Sequence, residues 1–149
     1  MMPIIAINKR ATYDYEILED YEAGLMLTGP EVKSARNGHI NLKGSFAAFK
    51  DNELFLLNTH ISPYTFAKPD QSYDPSRSRK LLLKKKEIAR LKGKLNVKGL
   101  TLLPLRVYTT KTRLKVVLGL GRGKKQFEKR EIMKKRDVER QIREELKRK

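Results

Sequence analysis

The sequence predicts a small α+β domain that is mainly antiparallel β-strand, with two to three short helices and a charged C-terminal segment. Three observations support this fold class. Several short segments alternate apolar and polar residues with the two-residue period of a half-buried strand. Turn-forming residues separate these segments at hairpin distances. The 149 residues provide one domain plus an extension, and helical spacing is confined to a few short stretches.

The N-terminal quarter is expected to contain three strands. Residues 4–7 form a short apolar run that predicts the first strand. Residues 13–19 alternate Tyr and Ile with charged residues, and residues 21–28 continue the pattern. We therefore expect two strands joined by a turn at Asp20.

A helix and a hairpin follow. Residues 30–37 are predicted to be helical, because Pro30 suits the first turn of a helix and Gly38 suits the position after its end. Residues 41–49 and 53–59 alternate as strands, and the Lys-Asp-Asn sequence between them is typical of a tight turn.

The second half of the body repeats this arrangement after an irregular stretch. Residues 63–79 hold three prolines and no periodic pattern, so this segment is predicted to be a functional or mobile loop. Residues 84–98 are predicted to be a helix with one narrow apolar stripe. Residues 100–108 and 113–120 form the last predicted hairpin, in which Pro104 indicates an edge strand or a bulge.

Six or seven short strands with hairpins at both ends predict a small closed or nearly closed barrel. Closure leaves no unpaired strand edge, and the OB-like barrel is the basic example of this class. We expect residues 1–120 to form this domain. Residues 121–149, called the tail below, are expected to form a separate C-terminal segment.

The charge of the chain points to a polyanionic partner. The net charge is +17, from 34 Lys and Arg and 17 Asp and Glu. The tail contributes thirteen basic and six acidic residues, a net charge of +7, which leaves +10 for residues 1–120. Two separate sources of positive charge favour a long phosphate backbone, and hence RNA, over a small acidic ligand.

The tail has the pattern of a helix that forms only on a partner. Its Glu residues precede Lys or Arg by four positions at several places, which is the favourable order for a helix. Val138, Ile142 and Leu146 make one apolar stripe, which is too narrow to hold a free helix in water. We expect the tail to become helical when it is bound.

Several function classes are not expected. The chain has no cysteine, which excludes disulfides and thiolate catalysis, and no apolar run of about 20 residues. We therefore expect a cytoplasmic protein. His39 and His60 have no partner at metal-ligand spacing, and alternation spreads the four acids at positions 16 to 22 over different faces. We expect no catalytic site, metal, cofactor, small-molecule substrate or membrane partner.

Four segments resemble one known family in their order and spacing. They are Asn8-Lys9-Arg10-Ala11, the stretch from Glu22-Ala23-Gly24-Leu25 to Glu31-Val32-Lys33-Ser34, Arg79-Lys80-Leu81-Leu82-Leu83 with the residues before it, and Gly123-Lys124-Lys125-Gln126-Phe127-Glu128-Lys129-Arg130. Over nearly the whole chain this pattern resembles the SmpB, or SsrA-binding, protein family.

The resemblance implies a function in ribosome rescue. It implies an OB-like barrel with attached helices that binds the tRNA-like domain of transfer-messenger RNA. The complex would be delivered to stalled ribosomes for trans-translation, which tags the unfinished peptide. The tail would lie in the empty mRNA channel, against small-subunit ribosomal RNA, as a helix.

The resemblance also implies site residues. The positions implied to contact RNA are Asn8, Lys9, Arg10, Glu22, Glu31, Val32, Lys33, Ser34, Leu82 and Lys115. The positions implied to contact the ribosome are Gly123, Lys124, Lys125, Phe127, Glu128, Lys129 and Arg130. Many members of the family have His where this chain has Phe127. The Phe ring can stack, but it has no ionisable nitrogen.

The residues alone leave alternatives open. Glu22 cannot contact a phosphate, so it either accepts hydrogen bonds from a base or sugar or orients a neighbouring Arg. Leu82 belongs either to the core or to a platform beneath an unstacked base. Lys115 is expected to point outward from its strand. The alternating Gly119, Gly121 and Gly123 suggest flexibility or close approach to an RNA backbone.

Two rival functions also remain at this stage. The first is a general ribosomal or structured-RNA-binding protein with an OB-like barrel, which would not prefer a tRNA-like fold. The second is an RNA-processing enzyme, although the sequence shows no catalytic constellation. A monomer is expected, because one tRNA-like domain needs one binding surface.

Overall fold

The computed structural model describes residues 3–65, 72–124 and 140–143. Residues 140–143 are helical and exposed. In the body, the strands in chain order are β1 (Ile4–Ile7), β2 (Tyr15–Leu25), β3 (Ile40–Asn41), β4 (Phe46–Lys50), β5 (Glu53–Leu57), β6 (His60–Ile61), β7 (Arg79–Leu82), β8 (Leu100–Thr109) and β9 (Leu114–Gly123). The helices are α1 (Ala11–Asp14), α2 (Gly29–Arg36) and α3 (Lys85–Lys94).

Six of these strands close into a ring. The order is β4, β5, β7, β2, β9, β8 and back to β4, where Ala47 pairs with Leu102. Strand β1 pairs with the second half of β8, and β3 pairs with β6 in a separate small sheet. All of these pairings are antiparallel. The ring of strands with short helices confirms the predicted fold class.

The last hairpin provides much of the core. Leu114, Val116, Leu118 and Leu120 of β9 are all buried, as their alternation predicts. They pack with buried residues of the other strands and with Leu91 of α3, which is fully buried. The register shift between Pro104 and Arg106 confirms the bulge that the proline indicates.

The glycines of β9 serve close packing, so flexibility and approach to RNA are the wrong explanations for two of them. Gly119 and Gly121 are buried within the sheet. A Cβ atom at Gly119 would lie 2.9 Å from Leu105 Cδ2, and one at Gly121 would lie 3.0 Å from Tyr15 Cβ. Any side chain at either position would displace its neighbour.

Strand β2 is continuous, so the predicted turn at Asp20 is wrong. It pairs with β9 along almost its whole length, and Asp20 lies opposite Gly119 in that pairing. The only irregularity of the pairing is a register shift between Ile17 and Glu19. The charged residues of this strand are tolerated because their side chains reach solvent or partners on α3.

Two local predictions are confirmed. Helix α2 has Pro30 in its first turn, as predicted. It also begins with a capping box that was not predicted, in which the Thr28 side chain accepts from the Glu31 N–H and the Glu31 side chain accepts from the Thr28 N–H. Gly38 follows the helix with φ +85°. Between β4 and β5, Asp51 and Asn52 both have positive φ, as a type I′ hairpin turn requires.

Some element bounds differ from the predictions. Helix α3 ends at Lys94, four residues before the predicted end, and the chain reverses at Gly99 with φ +88°. Strand β4 starts at Phe46, because Asn41 belongs to the separate pairing of β3 with β6. Strand β9 continues to Gly123, beyond the domain boundary expected at Leu120. The division between body and tail remains a prediction.

Candidate nucleic-acid interface

An open groove of about 850 Å³ lies where four elements meet. The elements are the end of β2, the first turn of α2, the junction of β7 with α3, and the start of β9. Four of the residues implied to contact RNA line this groove: Glu22, Val32, Leu82 and Lys115. The fold therefore brings together residues that lie far apart in the sequence.

The strand register explains how the floor of the groove is built. Gly24 pairs with Leu82 on one side and with Lys115 on the other, and Lys115 in turn pairs with Tyr108. Directly opposed residues of a sheet project to the same face, so these side chains form one row. Glu22 lies two residues before Gly24 and shares that face. Gly24 leaves the middle of the row without a side chain.

The groove offers apolar surface together with cations. Leu82 is 46% exposed and Met26 is 52% exposed, whereas the neighbouring Leu81 is buried. Leu82 is therefore a surface residue and not a member of the core. Lys115 is half-buried and points outward, as predicted, and Lys84 and Arg113 also line the groove.

Glu22 lies near the Tyr108 hydroxyl. Burial raises the pKa of Tyr108 to about 12, and the neighbouring Glu22 carboxylate adds to the rise. Within the described residues, Glu22 forms no salt bridge, so the expectation that it orients an arginine is not supported.

Glu31 lies at the centre of a buried ion-pair cluster. Its carboxylate accepts from Arg79 Nε at 2.8 Å and from Arg79 Nη2 at 2.6 Å, and it also accepts from Arg77. Burial alone would raise the pKa of Glu31. The hydrogen bonds from Arg77, the Thr28 backbone and Arg79 outweigh burial and lower the pKa to about 2.

The arginines of this cluster also fix the loop before β7. Arg79 is fully buried and donates to the carbonyls of Thr59 at 2.6 Å and Pro75 at 2.9 Å. The Tyr73 hydroxyl donates to the carbonyl of Ile61 at 2.8 Å and lies 3.2 Å from Arg79 Nη2. The segment from residue 73 to residue 79 is therefore held in place by charge and hydrogen bonds, without regular structure.

The four residues at positions 31 to 34 divide between the interior and the surface. Glu31 is 2% exposed, and Ser34 is fully buried with its hydroxyl donating to the carbonyl of Ser62 at 2.6 Å. Val32 lines the groove. Lys33 is exposed, and its Nζ lies 5.6 Å from the centre of the Tyr64 ring. The structure thus gives Glu31 and Ser34 a role in placing α2. Val32 packs against the core at the groove, and Lys33 faces outward.

Asn8, Lys9 and Arg10 lie near the other end of β2. Asn8 Nδ2 donates to the carbonyl of Pro104 at 2.9 Å, which holds the bulge of β8. Lys9 and Arg10 are exposed, and the Arg10 guanidinium lies 4.7 Å from the centre of the Tyr13 ring. Because β2 has eleven residues, its two ends are about 35 Å apart.

The tail leaves the body at this second end. Gly123 is the last residue of β9, and the Lys124 N–H donates to the carbonyl of Asp14 at 2.9 Å. Lys124 Nζ donates to the carbonyl of Thr12 at 2.7 Å. The other implied tail positions, Lys125, Phe127, Glu128, Lys129 and Arg130, lie outside the described residues.

An exposed ion-pair cluster joins α3 to β2. Glu19 accepts from the Tyr21 hydroxyl at 2.5 Å, from Lys94 Nζ at 3.0 Å and from Arg90 Nη2 at 2.9 Å. These hydrogen bonds, with Tyr21 as the largest contributor, lower the pKa of Glu19 to about 2. The cluster explains why Glu19 can occupy the middle of a strand.

The described ranges contain few side chains suited to metal binding or catalysis. Among residues 3–65, 72–124 and 140–143, no three His, Asp or Glu residues are grouped so that they could hold a metal ion. His39 and His60 are both exposed. In the same part of the chain, no helix is both long and apolar enough to cross a membrane.

The sequence model of the SmpB protein family matches residues 5–148. The chain belongs to the SmpB family. The SsrA-binding protein of Sulfurihydrogenibium sp. strain YO3AOP1 is 52% identical over 141 residues, which cover 93% of this chain and 91% of the relative. The SsrA-binding protein of Chloroflexus aggregans is 49% identical over 145 residues, which cover 97% and 92% of the two chains.

A solved structure also matches. A chain described under "tmRNA-SmpB: a journey to the center of the bacterial ribosome" aligns with a TM-score of 0.67 at 52% identity, covering 84% of this chain and 85% of that one. The resemblance to the SmpB family that the motifs indicate is therefore confirmed, together with the fold that it implies.

Several residues of this SmpB family member were missed by sequence reasoning. Arg79 begins one of the family-like segments and Arg77 lies two residues before it, but nothing local shows that they enclose Glu31. Met26 and Arg113 line the groove without belonging to any implied contact set. Tyr108 lies next to Glu22 only because β8, β9 and β2 are neighbours in the ring.

Proposed function

We propose that this chain binds the tRNA-like domain of transfer-messenger RNA and delivers it to stalled ribosomes for trans-translation. The observation that carries the proposal is the groove, where Glu22, Val32, Leu82 and Lys115 meet from four elements. Membership of the SmpB family and the likeness to a tmRNA-SmpB structure support the same partner.

The chemistry of the groove suits an unstacked nucleotide. Leu82 and Met26 present apolar surface on which a base can lie. The groove also holds three basic side chains that can contact phosphates, a contact that does not require precise geometry: Lys84, Arg113 and Lys115. Glu22, which lines the groove, takes a donor from a base edge or a 2′-hydroxyl.

The second end of the body supplies backbone contacts. Lys9 and Arg10 are exposed there, at the end of β2 that lies about 25 Å from Glu22 in the groove. Lys33 adds a further exposed cation beside the groove residue Val32. Contacts spread over this distance fit a folded RNA better than a single nucleotide or a short strand.

The tail is proposed to be a separate binding module. It would lie in the empty mRNA channel against small-subunit ribosomal RNA, using Gly123, Lys124, Lys125, Phe127, Glu128, Lys129 and Arg130. Linking it to the body raises its effective concentration near that site once the body is bound. The chain would act in the cytoplasm as a monomer, by binding and placement and without catalysis.

A competition experiment tests this function. Labelled transfer-messenger RNA bound to the full chain is displaced by unlabelled transfer-messenger RNA or by bulk tRNA. The proposal predicts that bulk tRNA competes far less effectively at the same salt concentration. Equal competition by both RNAs would indicate a general structured-RNA-binding protein instead.

A further inference from the structure

Helix α3 begins at the edge of the groove and runs away from it. Lys84 and Glu87, at its start, line the groove. The helix has ten residues and is therefore about 15 Å long. Leu91 is fully buried, and Ile88 and Leu95 are half-buried, so one face packs on the ring and the opposite face is open to solvent.

The sequence of α3 and its two flanks is strongly basic, while Glu19 and Asp20 of β2 share a shallow hollow with Lys86 and Arg90 on one flank of the helix. Between residues 84 and 98 there is a single acid, Glu87, which accepts from the Lys84 N–H at 3.3 Å. A surface that serves solubility alone mixes both signs. The basic residues of this segment are Lys84, Lys85, Lys86, Arg90, Lys92, Lys94 and Lys98.

Some of these basic side chains have ion-pair or hydrogen-bond partners and others do not. Arg90 and Lys94 are paired with Glu19, and Lys92 Nζ donates to Asn52 Oδ1. Within the described part of the chain, Lys85 and Lys86 are exposed and make no side-chain hydrogen bond or ion pair. The paired cations therefore anchor the helix, while Lys85 and Lys86 stay exposed, Lys86 at the rim of the hollow that it shares with Glu19 and Asp20.

Small residues in the middle of the exposed face of α3 form a shallow strip, called the low strip below. Ala89 and Gly93, four residues apart, both lie on it, and a Cβ atom at Gly93 would meet nothing within 4 Å. With 100° between successive residues, Lys85 and Lys92 fall on one side of this strip and Lys86 and Arg90 on the other. A phosphate backbone can approach the low strip while cations on both sides reach its oxygens.

We propose that this face of α3 binds the phosphate backbone of the RNA where it continues beyond the groove. The groove and α3 then form one basic track, in which the groove contacts a nucleotide and the helix contacts backbone without reading sequence. The inference rests on the proposed function for the RNA partner and extends its footprint by about the length of the helix.

A charge-matched pair of variants tests the proposal. In the full chain, Lys85→Ala with Lys86→Ala removes the two free lysines, and alanine preserves the helix. The control, Lys43→Ala with Lys50→Ala, removes the same charge from exposed positions outside α3. Affinity for a transfer-messenger RNA transcript is measured over a range of salt concentrations, and thermal unfolding checks that both variants are folded.

The proposal predicts different results for the two variants. The α3 variant should lower the slope of log K against log salt by about 1.5, since each lost phosphate contact removes about 0.7–0.9. Its affinity should fall between about twofold and thirtyfold, from two exposed ionic contacts. The control should change little. Equal changes in both variants, or no change in either, would overturn the proposal.

Cross-linking gives an independent result. Because the chain has no cysteine, the thiol introduced by Ala89→Cys can be labelled with a photo-cross-linker at that position alone. Lys43→Cys, labelled in the same way, is the matched control. RNA should be captured from position 89 and not from position 43; no capture from position 89 would overturn the proposal. Repeating both experiments with bulk tRNA separates this inference from the proposed function, because backbone contact does not need the tRNA-like domain.

Discussion

Replacing Glu31 by glutamine should destabilise the protein strongly. The substitution removes the negative charge between two guanidinium groups, and Arg79 is fully buried. The glutamine amide also turns an N–H donor toward a group that is itself a donor. Breaking a buried ion pair by removing one partner costs about 3–5 kcal/mol.

The loss can be compared with that at an exposed pair. Glu53 lies 3.4 Å from Lys80, with side chains 51% and 37% exposed. Glu53→Gln should therefore cost less than about 1 kcal/mol. Urea unfolding followed by circular dichroism measures both variants, and Glu31→Gln should also lower Tm by roughly 6–20 °C. A loss below about 1 kcal/mol for Glu31→Gln would refute the argument that this carboxylate supports the buried arginines.

RNA binding by the same variant distinguishes two roles for Glu31. If the residue acts only by placing α2 and the loop before β7, affinity measured where the variant is fully folded should stay within about threefold of the wild-type value. A loss of affinity at a temperature where folding is intact would instead support the direct RNA contact that the family motif implies.

Four further outcomes are expected. The free energy of unfolding should fall as pH drops from about 5 to 2. The folded state lowers the pKa values of Glu31 and Glu19 to about 2, so the stability that these carboxylates add is full above their unfolded pKa values and is lost as they become protonated. The stability of Glu31→Gln should depend less on pH over this range. Gly121→Ala should cost about 1–3 kcal/mol in urea unfolding, because its Cβ would lie 3.0 Å from Tyr15 Cβ, which no side-chain rotation can move, whereas Gly93→Ala, on an open helix face, should stabilise by about 0.5–1 kcal/mol. Lys115→Ala should lower the salt slope of RNA binding by about 0.7–0.9, and an unchanged slope would count against this contact. A chain that ends at Lys124 should keep its RNA affinity and lose peptide tagging, whereas one that ends at Leu120 should be less stable because it lacks the last pairs of β9; normal tagging by the former would contradict the two-module proposal.

Local patterns predicted the parts of the fold that local chemistry decides. The alternation in β9 has a period of two and identified its core face. Local signals also delimit α2, at Pro30 and Gly38, and place the turn at Asp51 and Asn52. These elements were found because their causes lie within a few positions of one another.

The wrong predictions arise where contacts with residues far away in the sequence determine the local structure. Asp20 suggested a turn, but the neighbouring Glu19 is satisfied by Arg90 and Lys94, more than 70 residues away. Glu31 is implied to contact RNA, but Arg77 and Arg79, 46 and 48 residues further along the chain, enclose its carboxylate. No local pattern contains these pairings.

Leu82 shows a different limit. Three consecutive leucines, Leu81 to Leu83, carry no alternation, so the sequence cannot say which of them faces the core. The pairing of β7 with β2 decides it, burying Leu81 and leaving Leu82 in the groove. The family motif located the residue, and the register gave it an exposed position.

The central claim is that the groove of this SmpB family member recognises the tRNA-like domain. The most direct test compares wild type with the double variant Leu82→Ala and Lys115→Ala, both with the tail intact, in competition between labelled tRNA-like domain and bulk tRNA. Wild type should prefer the tRNA-like domain, and the folded double variant should lose most of that preference. A double variant that is folded and keeps the full preference would contradict the claim.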